Sequence, residues 1–139
     1  MINVHHTISL DTHGQGLYEF THEVSSWVAA QHVTSGMLTV FCRHTSASLS
    51  IQENADPDVQ HDLQAFFKAL VREDPSLYRH NSEGPDDMPA HIKSALTDVS
   101  LSIPVIEGRM ALGTWQGIYL FEHRAHDHRR SIILSFQGE

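Results

Sequence analysis

A single α+β domain with mostly antiparallel strands is the architecture that this sequence of 139 residues implies. Three observations carry the expectation. The length and the 40% hydrophobic content suit one compact domain, 1–139. Apolar residues recur at helical spacing in separated stretches, and elsewhere they alternate with polar residues at strand spacing.

The elements follow in chain order. Residues 2–10 read as a strand, and Leu17, Phe20, Val24, Trp27 and Val28 then mark one face of an amphipathic helix to about Gln31. Gly36 restarts the chain as strand. In "MLTVFCRHTSASLSI" the apolar residues move from the even positions Leu38, Val40 and Cys42 to the odd positions Ala47, Leu49 and Ile51. A phase slip turns every following side chain to the other face, so a bulge or sharp bend is expected between Arg43 and Ser46. Asp56 and Pro57 form a helix start, with a capping carboxylate and a proline where its missing N–H costs nothing. Val59, Leu63, Phe66, Phe67 and Leu70 should form the buried stripe of that helix, which runs to about Arg72. After a loop from Asp74 to Asp87, Asp87 is expected to cap a third helix with Met88, Ile92, Leu96 and Val99 on one face and His91 beside it. Val99 to Val105, "GIYLFEH" and "RSIILSF" complete the strands.

A net charge of -8 argues against broad nucleic-acid or anionic-membrane binding, while leaving room for a local anion site. No apolar run reaches the roughly 18 residues of a membrane span, and the N-terminus lacks a signal pattern, so a soluble cytoplasmic protein is expected. The lone Cys42 has no internal partner and reads as a buried, inert thiol. The anomaly is the count of twelve histidines.

Position selects among them. His80 lies in the loop stiffened by Pro85 and Pro89, and His91 lies on the first turns of the next helix, so the loop can fold back and bring them together. Imidazole suits zinc and similar ions better than magnesium, and Asp86 and Asp87 can complete or orient such a site. His44, at the inferred bend with Ser46 and Ser48 beside it, is the third candidate ligand. The three histidines in "EHRAHDHRR" are discounted as part of an exposed hairpin turn. Gly108, Gly113 and Gly117 let backbone approach a ligand closely, and Thr114, Trp115 and Gln116 with Arg109 as counter-charge form a candidate surface for a phosphate or carboxylate. Glu53, close to the His44 bend, is a candidate general acid or base, with Arg109 and Gln116 as further catalytic candidates.

Four blocks, "HTSASLSIQENADPDVQHD" at 44–62, "EGPDDMPAHIKSAL" at 83–96, "GTWQGIYLFEHR" at 113–124 and "SFQGE" at 135–139, together resemble the YjbQ-type or secondary thiamine-phosphate synthase family. The resemblance implies packed β-sheets, a homotrimer and a histidine site near the subunit boundary. Carried over by motif, its histidines are His44, His80 and His91, the three that spacing had selected. It also implies the joining of a pyrimidine diphosphate to a thiazole phosphate with release of pyrophosphate, assisted by a divalent ion and by Arg109 or Arg124. Two other classes stand beside this one. One is a metal-dependent hydrolase or lyase of a small phosphorylated or carboxylated metabolite, and the other is a non-catalytic trimeric metal- or ligand-binding protein.

Overall fold

The phase slip near His44 is a change of sheet. In the computed structural model, which describes residues 1–139, β3 (Gly36–Cys42) lies in a five-stranded sheet and β4 (Ala47–Glu53) in a three-stranded one. The chain turns from one to the other through residues 43–46, so the apolar positions change phase because the buried face changes sides. The larger sheet takes β1 (Ile2–His13), β8 (Asp127–Gly138), β3, β5 (Ser100–Ile106) and β6 (Arg109–Met110) in that order. The smaller takes β2 (Gly16–Glu19), β7 (Gln116–Glu122) and β4. All strand pairs are antiparallel, as expected. One core of 18 buried apolar side chains joins both sheets to α1 (Thr21–Ala30), whose Val24 and Val28 are fully covered.

The expected first helix began too early, because residues 16–19 pair with β7 and Phe20 seats in the core just ahead of α1. A backbone ladder to a waiting strand outweighed the helical spacing that Leu17 seemed to extend. The second corner between the sheets, 123–126, joins β7 to β8. These two strands lie in different sheets, so "EHRAHDHRR" is not a hairpin turn, and His123 and Arg130 are buried while His126 is exposed.

The other two helices depart most from expectation. Asp56 caps α2 (Pro57–Leu70) as predicted, its Oδ1 accepting the Asp58 N–H at 2.9 Å. Yet α2 buries no residue fully, and Phe66 and Leu70 of its apolar stripe are 60% and 56% exposed. The helix meets the smaller sheet where Phe67 packs edge-on against Phe121, with centroids 5.4 Å apart, and where Gln60 Nε2 donates to the Glu53 carbonyl at 2.8 Å and to the Tyr119 hydroxyl at 3.2 Å. In α3 (Asp87–Leu96) the buried face carries Asp87, Ala90, Lys93 and Ser94, while Leu96 is exposed. This polar face is turned inward because β4 offers it hydrogen-bonding groups: Ser94 Oγ donates to the Ala47 carbonyl at 3.3 Å. No helix is long and apolar enough to cross a membrane.

Candidate functional site

The start of α3 gathers the charged side chains. Gly84, at φ +103°, takes a left-handed turn that few side chains tolerate and delivers Asp86 and Asp87 to the second corner. Asp87 was expected to cap the helix, but its carboxylate is committed elsewhere. One oxygen, Oδ1, meets Arg124 Nη1 at 2.8 Å, and the other, Oδ2, lies 2.6 Å from His80 Nε2 and 3.3 Å from His91 Nε2. Asp86 holds the same arginine from behind, with Arg124 Nε 2.8 Å from its Oδ2. Burial works against the charge on both aspartates, but it is outweighed. Asp86 is held low by the Ala125 N–H and Arg124, and Asp87 by its hydrogen bond with His80 and by the Arg124 and His91 charges.

The tautomer of His91 follows from its outer contact. Its Nδ1–H donates to the Thr45 carbonyl at 3.0 Å, so in the neutral ring Nε2 carries the lone pair and faces Asp87. Ligand atoms of His80, Asp87 and His91 all lie within 4.8 Å of one another. Two imidazoles and one carboxylate, with the outer nitrogen of one ring anchored on a backbone carbonyl, form a donor set that fits a zinc-like divalent ion and leaves coordination positions open.

Within this chain His44 is outside that group, contrary to the expected three-histidine site. Its Nε2 accepts the Ser131 N–H at 2.8 Å, which uses the lone pair a metal would need. Burial and the Arg130 charge hold its pKa low. Asp87 replaces it in the donor set. The other candidates divide between the ends of one strand pair. Ala47 faces Glu122, near the histidines, while Glu53 faces Gln116 at the far end, on the order of 20 Å away at about 3.3 Å per residue.

At that far end the groups satisfy their own turns. Glu53 Oε2 accepts the N–H groups of Ala55 and Asp56 at 3.1 and 2.9 Å, and Gln116 Oε1 accepts the Gly113 N–H at 2.8 Å. Thr114 and Trp115 are exposed on the same turn, and Arg109 is exposed on the edge strand β6. Glu53 therefore caps a turn and does not reach the histidines. Glu53→Gln is expected to leave metal affinity unchanged and to lower stability by about 1 kcal/mol, within the range for loss of a cap. Titration of metal into the variant, alongside urea unfolding, checks both parts.

Ser46 is half-buried, and its carbonyl accepts Arg130 Nη2 at 3.2 Å. Ser48 is fully buried, and its Oγ lies 2.8 Å from Nε2 of His123, a residue the sequence reading had discounted. His123 is 1% exposed, and its Nδ1 has no hydrogen-bond partner. Burial and then the nearby Lys93 charge push its pKa down to about 3. An unfolded chain therefore takes up this proton near pH 6.5 and the folded chain does not. Stability is expected to fall by about 1.4 kcal/mol per pH unit as the pH drops from about 6.5 towards 3. Urea unfolding of wild type and His123→Phe across that window should show this contribution vanish in the variant. The signal that exposed His123 was available: "GIYLFEH" is apolar at consecutive positions, as a strand covered on both faces would be.

The family model described as UPF0047 protein YjbQ-like matches residues 6–139. The chain is 55% identical to a UPF0047 protein from Synechocystis over 92% of its own length and 87% of the relative's. It is 46% identical to UPF0047 protein YjbQ from Escherichia coli O157:H7 over 96% of both chains. Among solved structures, a YjbQ/UPF0047 protein from Clostridium acetobutylicum aligns at 32% identity with a TM-score of 0.81, covering 96% of this chain and 99% of that one. A protein of unknown function from Sulfolobus solfataricus, 22% identical, shares the fold with a TM-score of 0.86 over 99% of this chain and 100% of that one.

Proposed function

Because this chain belongs to the UPF0047 YjbQ-like family, whose resemblance had already implied a metal-assisted site, we propose that it is a metal-dependent hydrolase or lyase of a small phosphorylated metabolite, active in the cytoplasm. The observation that carries the reading is the convergence of His80, Asp87 and His91, which would hold a zinc-like divalent ion. A bound ion would supply Lewis acidity and lower the pKa of a water in an open position. Thr45 fixes the His91 ring, and Arg124 draws Asp87 Oδ1 away so that Oδ2 alone faces the histidines. Asp86 keeps Arg124 in place.

Thiamine-phosphate synthase activity is the second reading. It needs free positive charge for the departing pyrophosphate, and here Arg124 is engaged by two aspartates while Arg109 lies on a remote edge strand. That engagement favours hydrolytic or lyase chemistry. The zinc-loaded protein is expected to release phosphate from small phosphate esters or to eliminate it from them. Pyrophosphate release that requires both thiamine precursors would instead establish the synthase, and retained metal with no turnover would establish a binding protein.

We also propose a homotrimer. The candidate groups occupy opposite ends of the β4–β7 pair, and apolar Phe66, Leu70, Leu96 and Trp115 are left exposed. A ring joins unlike surfaces, so each protomer can present one end to its neighbour's other end while covering such side chains. Light scattering is expected to report three times the mass of the 15.6 kDa chain. A monomer at micromolar concentration would refute the assembly.

A further inference from the structure

Below α2, between that helix and the smaller sheet, lies a cleft of about 560 Å³, a size typical of small-molecule sites. Its wall holds an acceptor that nothing in the chain satisfies. The Thr97 hydroxyl spends its one proton on the Lys93 carbonyl at 2.7 Å, so its lone pairs are left for the Ser48 hydroxyl, also 2.7 Å away. Ser48 Oγ in turn accepts from His123 Nε2 at 2.8 Å. The proton of the neutral His123 ring is thereby fixed on Nε2, and Nδ1 is a bare lone pair. His123 lines the cleft, and this nitrogen is sealed from solvent with no hydrogen-bond partner, an omission that buried polar atoms rarely show.

A donor stands beside it. Lys93, on the inward face of α3, lines the same cleft, makes no hydrogen bond or ion pair through its ammonium, and is the charge that acts most on His123. Glu73, Asp86 and Glu122 keep their negative charge in its surroundings, which disfavours an anion, while Lys93 and Lys68 disfavour a cation. Phe67 and Phe121 supply an apolar wall. The cleft therefore selects a neutral molecule that carries a donor next to an acceptor on one edge.

We propose that this cleft is a second ligand site that takes a small planar cyclic amide, its N–H donating to His123 Nδ1, its carbonyl accepting from the Lys93 ammonium and its ring against Phe67 and Phe121. A lactam edge presents those two groups side by side in one plane. Because Nδ1 is covered, entry requires α2 to move outward, and a helix without a fully buried side chain can do so. The site uses none of the three candidate metal ligands and stands whether or not an ion binds them.

The probe is 2-pyridone, titrated into ¹⁵N-histidine-labelled protein that has been treated with chelator. The free protein is expected to show His123 protonated at Nε2 and bare at Nδ1. Saturable binding of one 2-pyridone per chain should then shift the His123 Nδ1 resonance toward that of a hydrogen-bonded nitrogen and leave His80 and His91 unmoved. N-methyl-2-pyridone, which keeps the carbonyl and loses the N–H, should bind about tenfold more weakly, as expected when a buried acceptor is left unpaired. Lys93→Met keeps the buried stem without the donor and should weaken 2-pyridone binding by a similar factor. A proton on Nδ1 in the free protein overturns the proposal. So does an absence of saturable shifts at His123, a response confined to His80 and His91, equal affinity for the N-methyl analogue, or unchanged affinity in Lys93→Met. All but the last are read on wild type and need no variant to fold.

Discussion

Replacing Asp87 by asparagine is expected to reduce bound zinc from about one ion per chain to a trace, with affinity falling by more than the ~10–100-fold typical of losing an outer-shell partner. The carboxylate does two tasks at once. Its Oδ2 faces both histidines and its Oδ1 holds Arg124, so the amide would lose a negative ligand and leave the arginine with Asp86 as its remaining carboxylate partner in this chain. Elemental analysis after dialysis against trace zinc, with competition against a chromophoric chelator, measures the effect. Stoichiometric zinc in the asparagine variant would remove Asp87 from the donor set. His44→Ala sharpens the comparison: because His44 already accepts the Ser131 N–H, zinc should be retained.

The largest effect on stability is expected at Arg130. Its guanidinium grips Glu122 through Nε and Nη2, and Thr12 Oγ1 donates to the same carboxylate at 2.6 Å. Arg130→Met would leave a fully buried carboxylate without its counter-ion, which costs about 3–5 kcal/mol. Replacing both members, Arg130→Met with Glu122→Leu, should recover most of that loss, because no unpaired charge remains. Burial raises the pKa of Glu122, but the Arg130 and Thr12 hydrogen bonds and the Arg124 N–H outweigh it and hold the pKa below its ordinary 4.5. The associated stability is thus present above about pH 4.5 and is lost as the pH falls through the lower folded value. The double variant should lack this acid limb in guanidinium unfolding measured across pH.

How much of this was legible depended on whether local pattern and tertiary surroundings agreed. The slip between Cys42 and Ala47 was readable because side-chain alternation is a property of the backbone, and a change of sheet must break it. The Asp56 cap was readable for the same reason: the carboxylate and the proline act within a few residues. The stripes of α2 and α3 misled, since spacing tells which residues share a face but not whether that face meets the core. His80 and His91 were found through a loop able to fold back. Asp87 was read as a helix cap and as a carboxylate able to complete or orient the site, but nothing local reveals that Arg124, from a corner 37 residues later, occupies one of its oxygens. Glu53 was misplaced because closeness to His44 in sequence says little once a straight strand separates them.

The shallow seating of α2 also determines how the molecule opens. Amide hydrogens in β8, flanked by β1 and β3, exchange with solvent only when the larger sheet comes apart, so they report global unfolding. Those of α2 need no such event, because a helix without a fully buried side chain can lift and fray while both sheets stay paired. Two cooperative units of unequal depth are therefore expected in hydrogen exchange. A ligand that tethers α2 to the smaller sheet would slow exchange along that one helix while leaving the slowest protons of the sheet unchanged.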